Sequence, residues 1–303
     1  MAGVTAAVLL MGTQALPWLP YALLLAGTSF IDDMRGLSAG IRLAVHAGVA
    51  CAFAMGTFAG HGAMTYMAAV LAIVWMTNLY NFMDGSDGLA GGMAVIGFGL
   101  YGFAAWIQGC PLFAAMCLAI SASAGAFLVY NFHPARIFLG DSGSIPLGFA
   151  AAALGGMGWM QGMWPLTFPF LVFSPFIADA STTLVRRLLA GEKIWRPHKD
   201  HYYQRLVRMG WGHGKTAGAE YVLMTASGLS ALVALTPGYS LLVPLAWICI
   251  YAVLMSRIDS AWRRFREKTV KGEEILRTFR PPARTEEIMH DPAAHKGKDR
   301  SAR

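Results

Sequence analysis

The sequence is poor in charged residues. Asp, Glu, Lys and Arg make up 14% of its 303 residues, well below the roughly 25% that is usual in soluble domains. Hydrophobic residues make up 56%, and the mean hydropathy is +0.48. A soluble protein of this length would not carry so many apolar runs. The composition therefore excludes an ordinary soluble domain and indicates a membrane protein.

Cysteine is also scarce, and the four cysteines are scattered through apolar stretches without a CxxC pair. This pattern argues against a disulfide framework or a thiolate zinc site. The first ten residues lack the basic segment and the cleavage site of a signal peptide. The net charge of +7 lies mostly late in the chain, which favours anionic lipid headgroups over nucleic acid as its partner.

The apolar runs predict an all-α, polytopic transmembrane bundle of about nine to ten spans, because a span needs about 20 mostly apolar residues. The spans are expected near 18–31, 42–60, 64–81, 90–107, 111–130, 145–160, 164–184, 217–236 and 239–256. Charged residues are absent from the short turns at 61–63, 108–111, 161–163 and 237–239. All 24 Lys and Arg lie at the opposite ends of the spans, and the positive-inside rule makes that side cytoplasmic.

We expect one multi-pass domain over residues 1–256, containing a basic cytoplasmic loop at 186–216, and a basic cytoplasmic tail over 257–303. The tail is predicted to begin as a surface helix that reaches about Glu274. The first 31 residues are too few for two full spans, so a partial hairpin is expected there.

Five aspartates are the most unusual residues of this apolar chain. Each would cost roughly 2.5–3.5 kcal/mol at a lipid-facing bilayer centre, so we expect them at span ends or in a wet cleft. The topology derived from Lys and Arg puts all five at cytoplasmic ends. The five are Asp32, Asp33, Asp84, Asp87 and Asp141.

The adjacent carboxylates of Asp32 and Asp33 form the first motif. Such a pair is retained where a cation, a metal or a proton-transfer task compensates the repulsion. A solvated helix end beside Arg35 explains this motif equally well.

The second motif runs from Asn78 through Asn81 and Asp84 to Asp87. Its first three polar residues are three apart, which on a helix places them on one side. Amide and carboxylate oxygens without thiols suit a hard cation such as Mg²⁺. A polar connecting loop is the alternative, but it has little reason to need this density of polar groups.

The third motif is Asn131-Phe132-His133-Pro134-Ala135-Arg136-Ile137-Phe138-Leu139-Gly140-Asp141-Ser142-Gly143-Ser144. Its last residues open a predicted helix, where free backbone N–H groups and Ser hydroxyls bind phosphate well. Ordinary N-capping by Ser142 or Ser144 is compatible with that function.

The fourth motif is a basic, aromatic stretch that suits an anionic sugar nucleotide; its candidate residues are Arg196, His198, His201 and Arg205. Lys199 between the histidines argues against a closed zinc site. Asp179 lies within a predicted span and is a functional candidate by default. An ion pair with Arg186 or Arg187 is its structural alternative.

Together, these motifs resemble the polyprenyl-phosphate N-acetylhexosamine-1-phosphate transferase family, or glycosyltransferase family 4. The resemblance covers residues from about 20 to 256. Its specificity lies in the combination of Asp-Asp-x-x-x-Leu, Asn-x-x-Asn-x-x-Asp-Gly-x-Asp-Gly and Gly-Asp-x-Gly-Ser. The family implies a helical bundle with a cleft at the cytoplasmic face of the bacterial inner membrane. It also implies dependence on Mg²⁺, with Mn²⁺ as the substitute.

The resemblance also implies roles for individual residues. Metal-binding positions are matched by Asn81 and Asp141. Catalytic positions are assigned to Asp32, Asp33, Asp84 and Asp87. Substrate-binding positions are assigned to Asn78, Asn131, Phe138, Asp179, Arg196, His198, His201 and Arg205, with Phe138 matching an aromatic that stacks on uracil.

The expected reaction transfers an N-acetylhexosamine-1-phosphate from a UDP-sugar to undecaprenyl phosphate and releases UMP. The stretch His198-Lys199-Asp200-His201 is more similar to the O-antigen-initiating branch than to the pentapeptide transferases, which carry three consecutive histidines. Lipopolysaccharide or cell-wall glycan synthesis is thus the expected setting, and a homodimer is left open.

Three other functions were weighed against this one. A transporter would carry acids at mid-membrane and repeat symmetry, whereas these acids cluster at one face. A prenyltransferase or CDP-alcohol transferase would show a different aspartate spacing. Relatives in the family have a further N-terminal span and loop. The short N-terminus therefore leaves two further alternatives: the start of the chain is misassigned, or the protein is an inactive, truncated family member that scaffolds a glycan complex.

Overall fold

The computed structural model describes residues 16–193 and 198–278, with side chains as far as residue 269. Across these ranges the chain is helical and contains no β-strand, which confirms the predicted all-α class. The helices are α1 (Leu19–Arg35), α2 (Ala39–Thr57), α3 (Ala63–Phe82), α4 (Leu89–Ile107), α5 (Pro111–Asn131), α6 (Asp141–Met160), α7 (Thr167–Val172), α8 (Ser174–Leu189), α9 (Tyr202–Leu206), α10 (Gly212–Val233) and α11 (Leu242–Thr278).

Five of these helices are long and apolar enough to cross a membrane: α2, α3, α4, α5 and the part of α11 from Leu242 to Thr269. The chain is therefore a multi-pass membrane protein. The other predicted spans are also helical, although α1 has only 17 residues. The helix α11 runs without interruption past the predicted domain boundary at residue 256. A partial N-terminal hairpin is predicted over the first 31 residues, of which 1–15 lie outside the described ranges.

The span predicted at 164–184 is broken in the structure, which separates α7 from α8 at Phe173. Proline explains the break, because Pro175 has no N–H to donate to the carbonyl of Leu171. The Ser174 hydroxyl takes over that carbonyl at 2.7 Å. The break therefore leaves α8 as a separate helix of 16 residues that carries Asp179.

A tight turn joins α1 to α2 and presents the first acidic motif. Gly36 ends α1 with a φ of +67°, and its N–H donates to the carbonyl of Asp32 at 2.7 Å. Glycine adopts this left-handed conformation without the steric cost that a side chain would bring. Ser38 then caps α2 by accepting from the N–H of Ile41. The turn brings Asp32, Asp33 and Arg42 to the same end of the helix pair.

Close packing of α3 against α6 holds the second and third motifs together. At Gly148 of α6, a β-carbon would overlap the backbone carbonyl of Met76 and lie 2.7 Å from the Tyr80 side chain. The buried Tyr80 ring in turn packs edge-on against Phe176 at 5.3 Å and donates its hydroxyl to the carbonyl of Ala90. Asn81 lies near the end of α3 and Asp141 at the start of α6, so this helix contact sets the distance between the two residues.

Replacing Gly148 with alanine should destabilise the protein. The added carbon meets backbone that a rotamer change cannot move, and overpacking of this kind costs about 1–3 kcal/mol. We expect a lower thermal unfolding temperature for Gly148→Ala in detergent, measured by intrinsic fluorescence.

Gly125→Ala in α5 is the matched control, because its β-carbon would lie 3.8 Å from Val95, an ordinary contact. Alanine is the better helix former by about 1 kcal/mol, so this variant should unfold at the same temperature or higher. Equal unfolding temperatures for the two variants would contradict the close α3–α6 contact.

Candidate active site

The site is built around one arginine shared by two carboxylates. Arg42 of α2 places Nη1 3.3 Å from an oxygen of Asp32 and 3.3 Å from an oxygen of Asp141. Asp32 is buried, and its other oxygen accepts the N–H of Leu37 at 2.6 Å. The first and third sequence motifs therefore meet, as expected, across α1, α2 and α6.

Two serines connect the remaining polar side chains to this centre. Ser142 donates to Asp33 at 3.0 Å, and Ser144 donates to the side-chain oxygen of Asn81 at 2.8 Å. Asp141 lies within hydrogen-bonding reach of the Asn81 amide. The start of α6 therefore contacts the end of α1 on one side and the end of α3 on the other.

Asp84 lies beside this cluster but beyond the helix on which it was expected. The helix α3 ends at Phe82, so Asp84 belongs to the turn before α4 and does not share a helical face with Asn78 and Asn81. Burial, together with the negative charge of Asp141, raises the pKa of Asp84 to about 7. Asp84 is therefore a fourth carboxyl group beside Asp32, Asp33 and Asp141.

The donor set fits a hard divalent cation such as Mg²⁺. Asp141 supplies a carboxylate and Asn81 an amide oxygen, and the negative charge of Asp141 adds to burial in raising the pKa of Asp84. Among the described residues, no three His, Cys, Asp or Glu side chains converge to form a closed metal site. That is compatible with Mg²⁺, which is usually held by one or two carboxylates together with substrate phosphates and water.

Asn78 has protein partners, which leaves its predicted substrate-binding role untested. Its amide nitrogen donates to the carbonyl of Val74 at 2.7 Å, and its oxygen lies 3.3 Å from Nδ1 of His46. It therefore ties α3 to α2, one turn from the acidic centre.

A second cluster forms where the loop before α6 meets the start of α10. Nδ1 of His133 and the backbone N–H of Ala135 contact one oxygen of Asp87, at 2.8 and 3.2 Å. Burial raises the pKa of Asp87, but these two bonds and the nearby His213 outweigh it and lower the pKa overall. Asp87, in the turn between α3 and α4, is thus an anion held by the loop before α6.

Asn131, the last residue of α5, joins the turn between α3 and α4 to the loop before α6. Its oxygen accepts the N–H of Gly88 at 3.1 Å, and its nitrogen donates to the carbonyl of Ile137 at 2.8 Å. Both amide groups are therefore engaged, and the residue is only 3% exposed. Its bond to Ile137 therefore positions the segment that leads to Phe138.

Phe138 follows that segment and is 74% exposed, as a stacking surface must be. It lies with Leu139 and Ser142 at one end of an apolar groove of about 260 Å³. The groove is lined by α1, α5 and α6 and includes Trp18 and Phe127. Phe138 therefore lies between the polar cluster and an apolar surface.

Asp179 is buried against the loop between α8 and α10 and holds it by hydrogen bonds. Its two oxygens accept the backbone N–H groups of Tyr202 and Tyr203, at 2.9 and 3.0 Å, and Thr183 donates to it at 3.1 Å. Its side chain is 7% exposed. The structural alternative weighed from the sequence is wrong, because Arg186 pairs with Asp259 and Arg187 with Glu192 and Asp200.

The two histidines of the fourth motif are packed against each other. His201 is 3% exposed, lies 3.3 Å from Asp179 and stacks on Phe82. Burial, followed by the nearby His201 and Arg187, lowers the pKa of His198 to about 4. His198 is therefore neutral near pH 7, and a role in attracting an anion has no support from its charge.

Arg205 is committed to an ion pair with Asp259 of α11, at 2.8 Å. Asp259 also accepts from Arg186 at 2.6 Å, and both guanidinium groups lie over the Tyr202 ring. Arg196 lies outside the described residues. Of the four fourth-motif residues, the three that the structure describes are thus mainly engaged with the protein itself.

Several residues of the site were not singled out from the sequence. Arg42 was noted only as a charge for topology, and its central place required the fold. Spacing gave no signal for the pairing of His133 with Asp87 or for the reach of Tyr203 to Phe82, because these contacts join distant segments. The serines of the Gly-Asp-Ser-Gly-Ser run were visible, but as phosphate-binding or capping residues and not as partners of Asp33 and Asn81.

Comparison with known proteins matches residues 16–158 to the model of glycosyl transferase family 4. A probable undecaprenyl-phosphate N-acetylglucosaminyl 1-phosphate transferase of Bacillus subtilis is 36% identical over 174 residues, 57% of this chain and 49% of that protein. A phospho-N-acetylmuramoyl-pentapeptide-transferase of Levilactobacillus brevis is 34% identical over 155 residues, 50% of this chain and 47% of that protein.

A phospho-N-acetylmuramoyl-pentapeptide-transferase of Geobacillus thermodenitrificans is 32% identical over 142 residues, 46% of this chain and 42% of that protein. The chain therefore spans about half the length of the curated relatives that it matches. The family match includes the first three motifs and the helices α1 to α5 and most of α6. Through residues 16–158, just under half of its length, the chain is similar to glycosyl transferase family 4.

Proposed function

We propose that the protein transfers an N-acetylhexosamine-1-phosphate from a UDP-sugar to undecaprenyl phosphate and releases UMP. The observation that carries the proposal is the convergence of Asp32, Asp33, Asp141 and Asn81 around Arg42 at one end of α1, α2, α3 and α6. Both substrates are polyanions, so positioning and charge neutralisation are the main tasks of such a site.

In the proposed reaction, an oxygen of the lipid phosphate attacks the β-phosphorus of the UDP-sugar. The bond from that phosphorus to the bridging oxygen breaks, and UMP leaves with the bond electrons. A lipid-linked sugar diphosphate remains. The second pKa of the lipid phosphate is about 6, by analogy with phosphoserine. The attacking oxygen is thus largely ionised near neutral pH, and its orientation matters more than its deprotonation.

The exposures of the two adjacent aspartates suggest a division of labour between them. Asp32 is buried and forms an ion pair with Arg42. Asp33 is exposed and accepts a hydrogen bond from the Ser142 hydroxyl. We therefore assign Asp33 to orienting the lipid phosphate and Asp32 to positioning Arg42. Asn81 and Asp141 would hold Mg²⁺, which would supply positive charge to the diphosphate.

Charge and topology support the location of the site. The positive-inside rule puts the end that carries the acidic clusters on the cytoplasmic side of the bacterial inner membrane, where UDP-sugars are available. Similarity to an N-acetylglucosaminyl 1-phosphate transferase supports an N-acetylhexosamine donor. O-antigen or cell-wall glycan synthesis, and the branch that uses UDP-FucNAc or UDP-QuiNAc, are the finer parts of this proposal.

Product formation tests the reaction directly. Protein purified in detergent is given undecaprenyl phosphate, Mg²⁺ and a panel of UDP-N-acetylhexosamines, and UMP and lipid product are followed by mass spectrometry. We expect UMP release that requires the lipid and stops when EDTA removes the divalent cation. No release with any donor would contradict the proposal and favour an inactive family member.

Asp141→Asn and Asp84→Asn should each abolish transfer while leaving folded protein. The first variant removes a charged ligand for the cation, and the second removes a half-buried carboxylate beside it. Activity and the thermal unfolding temperature are measured on the same preparations. Asp200→Asn is the control, because Asp200 lies in the late loop and pairs with Arg187. Turnover close to the wild-type rate in either site variant would disprove its assignment.

Phe138→Ala should raise the KM for the UDP-sugar about 10-fold, since stacking of a base on an aromatic ring contributes about 1–3 kcal/mol. Stability should change little because the ring is exposed. Ile137→Ala, a neighbouring exposed side chain, is the control. An increase in the KM for the lipid alone would instead assign Phe138 to the apolar groove.

A further inference from the structure

The hydroxyl of Tyr203 contacts both sides of the turn that carries Asp84. It donates to the carbonyl of Phe82 at 3.1 Å, and its oxygen lies directly against Gly85. Phe82 is the last residue of α3, where carbonyls lack intrahelical partners. In the sequence, Asp84 lies between Phe82 and Gly85, the two residues that the Tyr203 hydroxyl oxygen contacts.

Gly85 is the position at which this contact is closest. A β-carbon at Gly85 would overlap the Tyr203 hydroxyl oxygen and lie 3.3 Å from the ring carbon that bears it. The φ angle of Gly85 is not in the left-handed region that favours glycine. Close approach of Tyr203, rather than an unusual backbone conformation, therefore explains the glycine.

Tyr203 is itself fixed at its other end by Asp179. Its backbone N–H donates to one carboxylate oxygen at 3.0 Å, while Tyr202 donates to the other at 2.9 Å. The Tyr203 ring is fully buried and stacks against His201 at 6.0 Å. A continuous chain of contacts thus runs from α8 through α9 to the turn after α3.

We propose that Tyr203 is a positioning residue for Asp84, with its hydroxyl clamping the turn from Phe82 to Gly85 and Asp179 anchoring the clamp. The late cytoplasmic loop then acts on the acidic centre through the backbone, in addition to any contact that it makes with a substrate. The catalytic consequence rests on the proposed function, whereas the clamp itself does not.

Tyr203→Phe tests the clamp, because it removes the hydroxyl and keeps the buried ring. Tyr202→Phe is the matched control, since it removes the neighbouring hydroxyl, which donates to Asp259 at 3.3 Å. Displacement of a catalytic group by about 1 Å can cost about 100-fold in rate. We expect Tyr203→Phe to lower kcat between about 10- and 100-fold with little change in KM for either substrate. The control should stay within about 3-fold of the wild type, as expected for a residue outside the clamp.

A second pair of variants separates the clamp from a general loss of packing. Gly85→Ala should impair turnover strongly, because its methyl group meets the Tyr203 hydroxyl. The double variant Gly85→Ala/Tyr203→Phe removes that overlap and should be no worse than Tyr203→Phe alone. Such non-additivity is the signature of two residues in direct contact. Additive losses in the double variant would overturn the proposal.

Amide hydrogen exchange provides a readout that does not need activity. Residues 82–88 should exchange faster in Tyr203→Phe than in Tyr202→Phe, as measured by mass spectrometry of peptides. Equal exchange in the two variants would overturn the clamp, even if the protein transfers no sugar phosphate. Faster exchange with unchanged kcat would retain the contact but overturn the positioning role.

Discussion

The arrangement of the site depends on the sharing of Arg42 between Asp32 and Asp141. An exposed ion pair contributes only about 0–1 kcal/mol, but Asp32 is buried. Without its partner it would be a desolvated, uncompensated charge, which costs several kcal/mol. Arg42 is therefore needed to bring α1 and α6 together at their acidic ends. One arginine faces two carboxylates here, and this excess of acidic groups is why a cation is proposed for the centre.

Small residues set the distances on which that centre relies. Because Gly148 has no β-carbon, the backbone of α6 can lie against Met76 and Tyr80 of α3. This contact fixes Asp141 relative to Asn81. Gly36 turns the chain sharply enough for Asp32 and Arg42 to face each other. In an interior with few polar groups, such close approaches define the geometry more sharply than apolar burial, which is largely non-directional.

Much of the fold could be predicted from the sequence, because apolar length and charge placement are local properties. The all-α class follows from apolar length, and the expected grouping of the acidic motifs at one membrane face follows from the placement of Lys and Arg. Contacts between distant segments do not. Nothing in the spacing of the residues indicates that Asn131 links Gly88 to Ile137 or that Asp87 pairs with His133. The break at Phe173 was missed although Pro175 was visible, since a proline within an apolar run also occurs in kinked, continuous helices.

The late loop shows why residue type alone does not establish a binding role. His201 and Arg205 have the chemistry to hold a nucleotide, yet His201 is buried beside Asp179 and Arg205 is paired with Asp259. These contacts fix the loop on α8 and α11, and through Tyr203 they reach the turn that carries Asp84. In a loop that is anchored in this way, the polar groups of the anchored residues are already occupied by protein partners. Differences in sugar recognition are then expected at side chains that face the cleft without such partners.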